Sequence, residues 1–112
     1  MNVKELAGAL GAKIVQPAGA GKEVSTGYTS DLLSDVMANA EDGCALITIQ
    51  AHLNTVAVAT HVEAAVIVVC NNHPIPADMV AAAEREEIAV IQTGKNQFEA
   101  SHLVYVQING GV

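Results

Sequence analysis

Three short apolar runs, Cys44 to Ile49, Ala65 to Val69 and Ile88 to Ile91, constrain the fold of this chain more than any other feature. Each is bounded by polar or turn-forming residues and has the length of a strand. The stretches between them, Asn54 to Glu63 and Pro76 to Glu87, have helical composition and the length of a crossover helix. Parallel strands need such crossovers, so the middle of the chain reads as β-α-β-α-β. Right-handed connections then place the three strands in one sheet. The expected fold class is a small three-layer α/β/α domain with a mainly parallel central sheet. A length of 112 residues suits a single domain over residues 1–112 with one core, and no repeat or linker divides it.

The flanks extend this scheme. Asn2 with Glu5 three residues on forms a capping pair, and Val3, Leu6, Ala7 and Leu10 give a helical stripe that Gly11 ends. Lys13 to Val15 predicts a brief strand, Pro17 to Gly21 a mobile loop, and Val24 to Tyr28 a further extended segment. Ser30 and Asp31 mark the start of a helix carrying Leu32, Leu33, Val36, Met37 and Ala40 on one face, stopped by Gly43. The last helix starts at Asn96, turns Phe98, Leu103, Val104 and Ile108 inward, and gives way to a free tail at Gly110-Gly111.

Charge narrows the partners. The net charge is −7, with 5 Lys and Arg against 12 Asp and Glu, which opposes a phosphate backbone or an anionic bilayer. Neither nucleic acid nor membrane is expected. His61, Glu63 and Asn71 interrupt the apolar stretches well short of the roughly 20 residues of a membrane span. Met1 to Glu5 lacks the basic and apolar segments of a secretory signal, so a cytoplasmic protein is expected. Cys44 and Cys70 sit in apolar runs without CxxC spacing and read as buried reduced thiols.

Ligands of open parallel sheets bind beyond the carboxyl ends of the strands. Polar clusters mark those ends: Gln50 to Asn54, Asn71 to Pro74, and Thr93 to Asn96. Their amides and the helix N-termini behind them suit a small anionic or nucleotide-like ligand, and Gln50, His52, Asn54 and Thr93 are the candidate binding residues. Asn54 and Asn96 read equally well as N-caps, and Asn71 to Pro74 as turn chemistry. Asp31 and Asp35, spaced to share one helix face, form a second candidate cluster, although Asp31 is also explained by the helix dipole. His52 and His73 lack neighbours at ligand spacing, so no metal is expected. No P-loop, GxGxxG fingerprint or nucleophile elbow occurs, so no cofactor and no catalytic residue is assigned.

The segments Gly27-Tyr28-Thr29-Ser30-Asp31 to Met37-Ala38, Ile47-Thr48-Ile49-Gln50 to Val58-Ala59, and Glu87 to Thr93 with Phe98-Glu99 resemble stand-alone DRTGG-domain proteins, in order and over about residues 24–105. The literal Asp-Arg-Thr-Gly-Gly string is absent; its neighbourhood reads Val24-Ser25-Thr26-Gly27-Tyr28. The resemblance implies an α/β/α arrangement like the N-terminal domain of HPr kinase/phosphorylase and the first domain of the Mur ligases. Such domains accompany catalytic or CBS domains, sensing ligands or mediating assembly. A non-catalytic, homodimeric regulatory module acting through a partner enzyme is therefore the first expectation. A small enzyme acting on a phosphorylated or acyl metabolite, with His52 as acid/base, is the alternative, and a purely structural subunit is the third.

Overall fold

A computed structural model describes residues 1–110. The three apolar runs become β3 (Cys44–Thr48), β4 (Val66–Val69) and β5 (Ala89–Gln92), joined by α3 (Leu53–His61) and α4 (Ala77–Arg85). Every residue of β3 and β4 is buried, because these strands are covered on both faces. Two further strands widen the sheet. β2 (Thr26–Thr29) pairs parallel with β3 through the crossover α2 (Leu33–Asn39), and β1 (Lys13–Gln16) pairs antiparallel with β5. The five-stranded order is β1-β5-β4-β3-β2.

Successive strand residues point to opposite faces, which divides the apolar interior in two. Ala45, Ile47, Val66, Val68 and Ile91 pack under α1 (Val3–Leu10) and α5 (Gln97–Ile108), while Cys44, Leu46, Ile67, Val69 and Val90 pack under α2, α3 and α4. The expected single core is thus two aliphatic clusters separated by the sheet. The layers match the expected α/β/α fold.

Local sequence explains several boundaries and misplaces others. The Asn2 side chain accepts from the Glu5 N–H, the Glu5 carboxylate accepts from the Asn2 N–H, and Gly11 closes α1 in the left-handed region at φ 61°. α2 starts later than its sequence predicts, since the Ser30 hydroxyl accepts from Leu32 N–H at 3.1 Å and holds a turn ahead of the helix. It ends at Asn39, before Gly43. α5 is capped by Asn96, which accepts from Glu99 N–H at 2.9 Å. Its inward residues are Ala100 and Val104; Phe98, expected in the core, is 83% exposed. Two residues before Ala100 is more than half a helical turn away, so both cannot face the sheet.

The loop from Pro17 to Gly21 is docked rather than loose. Gln16, itself buried, donates to Ile88 C=O at 2.8 Å, and Lys22 Nζ donates to Glu87 C=O at 2.6 Å. Gly19 lies between them at φ 87°, where a Cβ would collide with the Glu87 carbonyl. The predicted free tail involves Gly111, which lies outside the described residues.

Candidate functional site

The order of the strands decides where the sheet can open. β2, β3 and β4 each lead into a helix on the same face, α2, α3 and α4, whereas β5 leads to α5 on the other. Adjacent loops therefore diverge only between β4 and β5. This is where a doubly wound sheet has its crevice. The loops here close on each other: Asn71 N–H donates to Lys95 C=O and Asn72 N–H to Thr93 C=O, both at 2.9 Å. Asn71 and Asn72 reach this pairing at φ 59° and 52°, a region asparagine tolerates better than most residues. Gly94 lies beside them, where a Cβ would stand 2.9 Å from the Asn72 amide nitrogen and the Asn72 side chain would have to shift.

A second cluster covers the ends of β2 and β3, centred on Asp31. Its Oδ1 accepts from the Thr48 hydroxyl, Ile49 N–H and Gln97 Nε2, each at 2.9 Å. No bond reaches Oδ2 among the described residues. Gln50 Nε2 donates to the Asp31 carbonyl at 3.0 Å, and its own side-chain oxygen meets His52 Nε2 at 3.0 Å. Thr55 Oγ1 donates to the Gln50 carbonyl at 2.8 Å, fixing the start of α3. One carboxylate thus joins the β2–α2 loop, the β3 end and the first residue of α5.

Of the residues singled out in the sequence, Gln50 and His52 meet directly. Asn54 does not cap α3: the N-cap position belongs to His52, and Asn54 is exposed in the first turn. Thr93 is buried and turned toward the end of α1, accepting from Lys95 N–H at 3.2 Å, while Lys95 Nζ donates to Leu10 C=O at 3.1 Å. Asp31 precedes α2, so the shared helix face expected for Asp31 and Asp35 does not form. Asp35 accepts instead from Tyr28 OH at 2.7 Å and from Asn39 Nδ2 at 3.0 Å. The tyrosine hydroxyl holds the Asp35 carboxyl below its ordinary value, and the same bond raises the Tyr28 phenol. Sequence reading missed Thr48, Gln97 and Tyr28. Thr48 and Tyr28 lie inside strand patterns and Gln97 follows an ordinary cap, so nothing local marked them.

The helices differ in how they begin. α1 and α5 open on asparagine caps, but α2, α3 and α4 open at Leu32, His52 and Pro76 without any side-chain cap. These three uncapped ends sit where β2, β3 and β4 end. The Asp35 N–H of α2 and the Thr55 N–H of α3 turn back to Leu32 C=O and His52 C=O at 3.0 Å, whereas Leu53 and Asn54 N–H at the start of α3 meet no acceptor among the described residues and are available to an anionic group. Cavities lie elsewhere: about 430 Å³ at the opposite strand ends beside Lys22, Glu23 and Glu63, about 470 Å³ between β2 and α5, and about 230 Å³ between α3 and α4. Among the described residues no group of three or more His, Cys, Asp and Glu is placed to hold a metal ion. Cys44 and Cys70 are free and buried, and burial pushes both thiols up to about 11. No helix of the described residues is long and apolar enough to cross a membrane.

Fold and strand ends together define a three-layer α/β/α unit with a polar network over its parallel strand ends. Among solved structures, the chain is similar to the CBS and DRTGG domains of the regulatory region of Clostridium perfringens pyrophosphatase, complexed with the activator diadenosine tetraphosphate. The TM-score is 0.73 at 16% identity, over 92% of this chain and 45% of that one. The likeness establishes a shared fold, with this chain spanning less than half of that region's length. No family model and no curated protein matches the chain.

Proposed function

We infer that the chain is a single DRTGG-like domain, with its family-like core at about residues 24–105, acting as a ligand-binding regulatory module. In this reading it is a homodimer, transmits ligand binding to a partner enzyme, and contributes no chemistry of its own. The likeness to the N-terminal domain of HPr kinase/phosphorylase belongs to the same reading. The uncapped start of α3 beside Gln50 and His52 carries it: an anion placed there would satisfy N–H groups that no side chain of this fold serves. Further support comes from the shared fold with a regulatory region that holds a nucleotide activator. The ligand class is a small anionic or nucleotide-like molecule, met by Gln50, His52 and Asn54, with Thr93 holding the neighbouring loop. Asp31 and Asp35 orient the β2–α2 side.

A thermal-shift screen of nucleotides, diadenosine polyphosphates and phosphorylated metabolites tests this. A ligand at about 100 times its dissociation constant adds about 2.7 kcal/mol, which for a small domain raises the melting temperature by roughly 10 °C or more. Alanine at Gln50, His52 and Asn54 together should abolish the shift. A flat response to every compound would defeat the ligand-binding reading. A shift that survives the triple substitution would move the site away from α3.

A further inference from the structure

The three cavities differ in charge. The one at the opposite strand ends is walled by Lys22, Glu23, Asp42, Glu63 and Glu86, and the small one between α3 and α4 by Arg85 and Glu86. The cavity of about 470 Å³ between β2 and α5 has no Asp, Glu, Lys, Arg or His among its lining residues. Its volume falls within the roughly 300–1,000 Å³ of small-molecule sites. β2 is the uncharged outermost strand on this side of the sheet, and Gly27 keeps the space open by having no side chain: a Cβ there would stand 3.3 Å from Val104 Cγ1. Ile47 and Val104, both 1% exposed, make an apolar floor. Polar groups surround it. Thr29 Oγ1 and Ser101 Oγ lie 2.6 Å apart and share one proton. A hydroxyl offers one donor and two acceptor sites, so the pair retains a second proton and further lone pairs for another molecule. Asn109 Nδ2 donates to Tyr105 C=O at 2.8 Å, which leaves the amide oxygen without a bond among the described residues. The largely exposed Tyr105 ring completes the lining.

We propose that this cavity binds an uncharged aromatic heterocycle bearing hydroxyl or amide groups, the chemistry of a free nucleoside, with its ring against Val104 and Tyr105 and its polar edge on Thr29, Ser101 and Asn109. Charge selects this class. An ionised group seated here would give up water with no opposite charge in the lining to meet it. Glu23 and Glu99, each two residues from a lining serine, and the net charge of −7 add repulsion against an anion. A cation finds no carboxylate in the lining, and the Glu23 carboxylate is already paired with the Met1 amino group at 2.9 Å. A pure hydrocarbon would cover the hydroxyl pair without meeting its remaining sites. The apolar floor and the tyrosine ring suit the faces of a flat ring, and the hydroxyls and amide suit its heteroatoms.

This site goes beyond the anion site at α3 and does not depend on it. The test is titration of the full, isotope-labelled chain with adenosine, followed by the backbone amide signals of Gly27, Ser101, Tyr105 and Asn109. These signals should move together, with a dissociation constant of about 0.1 mM, the affinity ordinary for a molecule of that size. Tyr105→Ala, at an exposed position, should weaken binding about tenfold, and so should Thr29→Val combined with Ser101→Ala. Adenosine monophosphate should move the same signals more weakly than adenosine. Alanine at Gln50, His52 and Asn54 should leave adenosine binding unchanged, which keeps this result separate from the α3 reading. Still signals at about ten times the expected dissociation constant would overturn the site. So would unaltered affinity in both cavity variants, tighter binding of the monophosphate at these residues, or loss of adenosine binding in the α3 triple variant.

Discussion

Replacing Asp31 by alanine tests whether one carboxylate really holds three elements together. The substitution removes the acceptor of the Thr48 hydroxyl, Ile49 N–H and Gln97 Nε2. These donors are not equivalent. Thr48 is fully buried and Ile49 N–H is part-buried, whereas Gln97 is part-exposed and can turn to water. A hydrogen bond to a charged acceptor contributes about 1.5–3 kcal/mol, and a buried donor left unpaired costs about 1–3 kcal/mol. With Gln97 discounted, the two inward donors set the loss at about 3 kcal/mol for Asp31→Ala. Asp31→Asn keeps a carbonyl oxygen for Thr48 and Ile49 but no charge, and should cost about half as much. Urea unfolding followed by circular dichroism, extrapolated linearly to water, measures both. Coupling to Thr48→Val in a double-mutant cycle should be about 1 kcal/mol or more. A loss below about 1 kcal/mol for Asp31→Ala, or equal losses for Asn and Ala, would refute the assignment of Asp31 as the tie between β3 and α5.

Two further outcomes follow from perturbed groups. The Asp35 carboxyl is held below its free value of 3.8 by Tyr28, so that contribution is present above pH 3.8 and is lost as pH falls through the lower folded value. Because the Tyr28 phenol is raised above 10.0, the same bond weakens again only in strong alkali. The stability gap between wild type and Tyr28→Phe, measured by urea titration at several pH values, should be constant at neutral pH and close in acid. A gap that widened in acid would contradict the bond. Cys44 and Cys70, with thiols pushed up to about 11 by burial, should resist a thiol reagent at pH 8 in the folded chain and both react in urea. Rapid labelling of either without unfolding would show that the clusters around the sheet open locally.

How much of this was legible in the sequence follows the range of the interactions. The runs at Cys44, Ala65 and Ile88 and the asparagine caps at Asn2 and Asn96 were readable because their causes lie within a few residues: strand-length burial, crossover length, and a side chain reaching the third N–H beyond it. The edge strands β1 and β2 were fainter, being half-exposed and so without a continuous apolar pattern. The role of Asp31 was hidden for a different reason. Its partners Thr48 and Gln97 lie 17 and 66 residues away, and a carboxylate before a helix looks the same whether it serves the dipole or bridges strands. Likewise Phe98 carries the residue type of a core position, and only the seating of Ala100 and Val104 on the sheet turned it outward.

Sequence alone therefore determined the parallel α/β centre and the polar character of its strand ends, since hydrophobic period and turn chemistry are local properties. Tertiary structure decided which of those polar groups meet, that the crevice falls between β4 and β5, and that β2 is left as an uncharged open edge. Those outcomes depend on the order of strands in the sheet and on the face each helix takes. Neither is written in any short stretch of residues, because both are settled only when elements distant in the chain pack together.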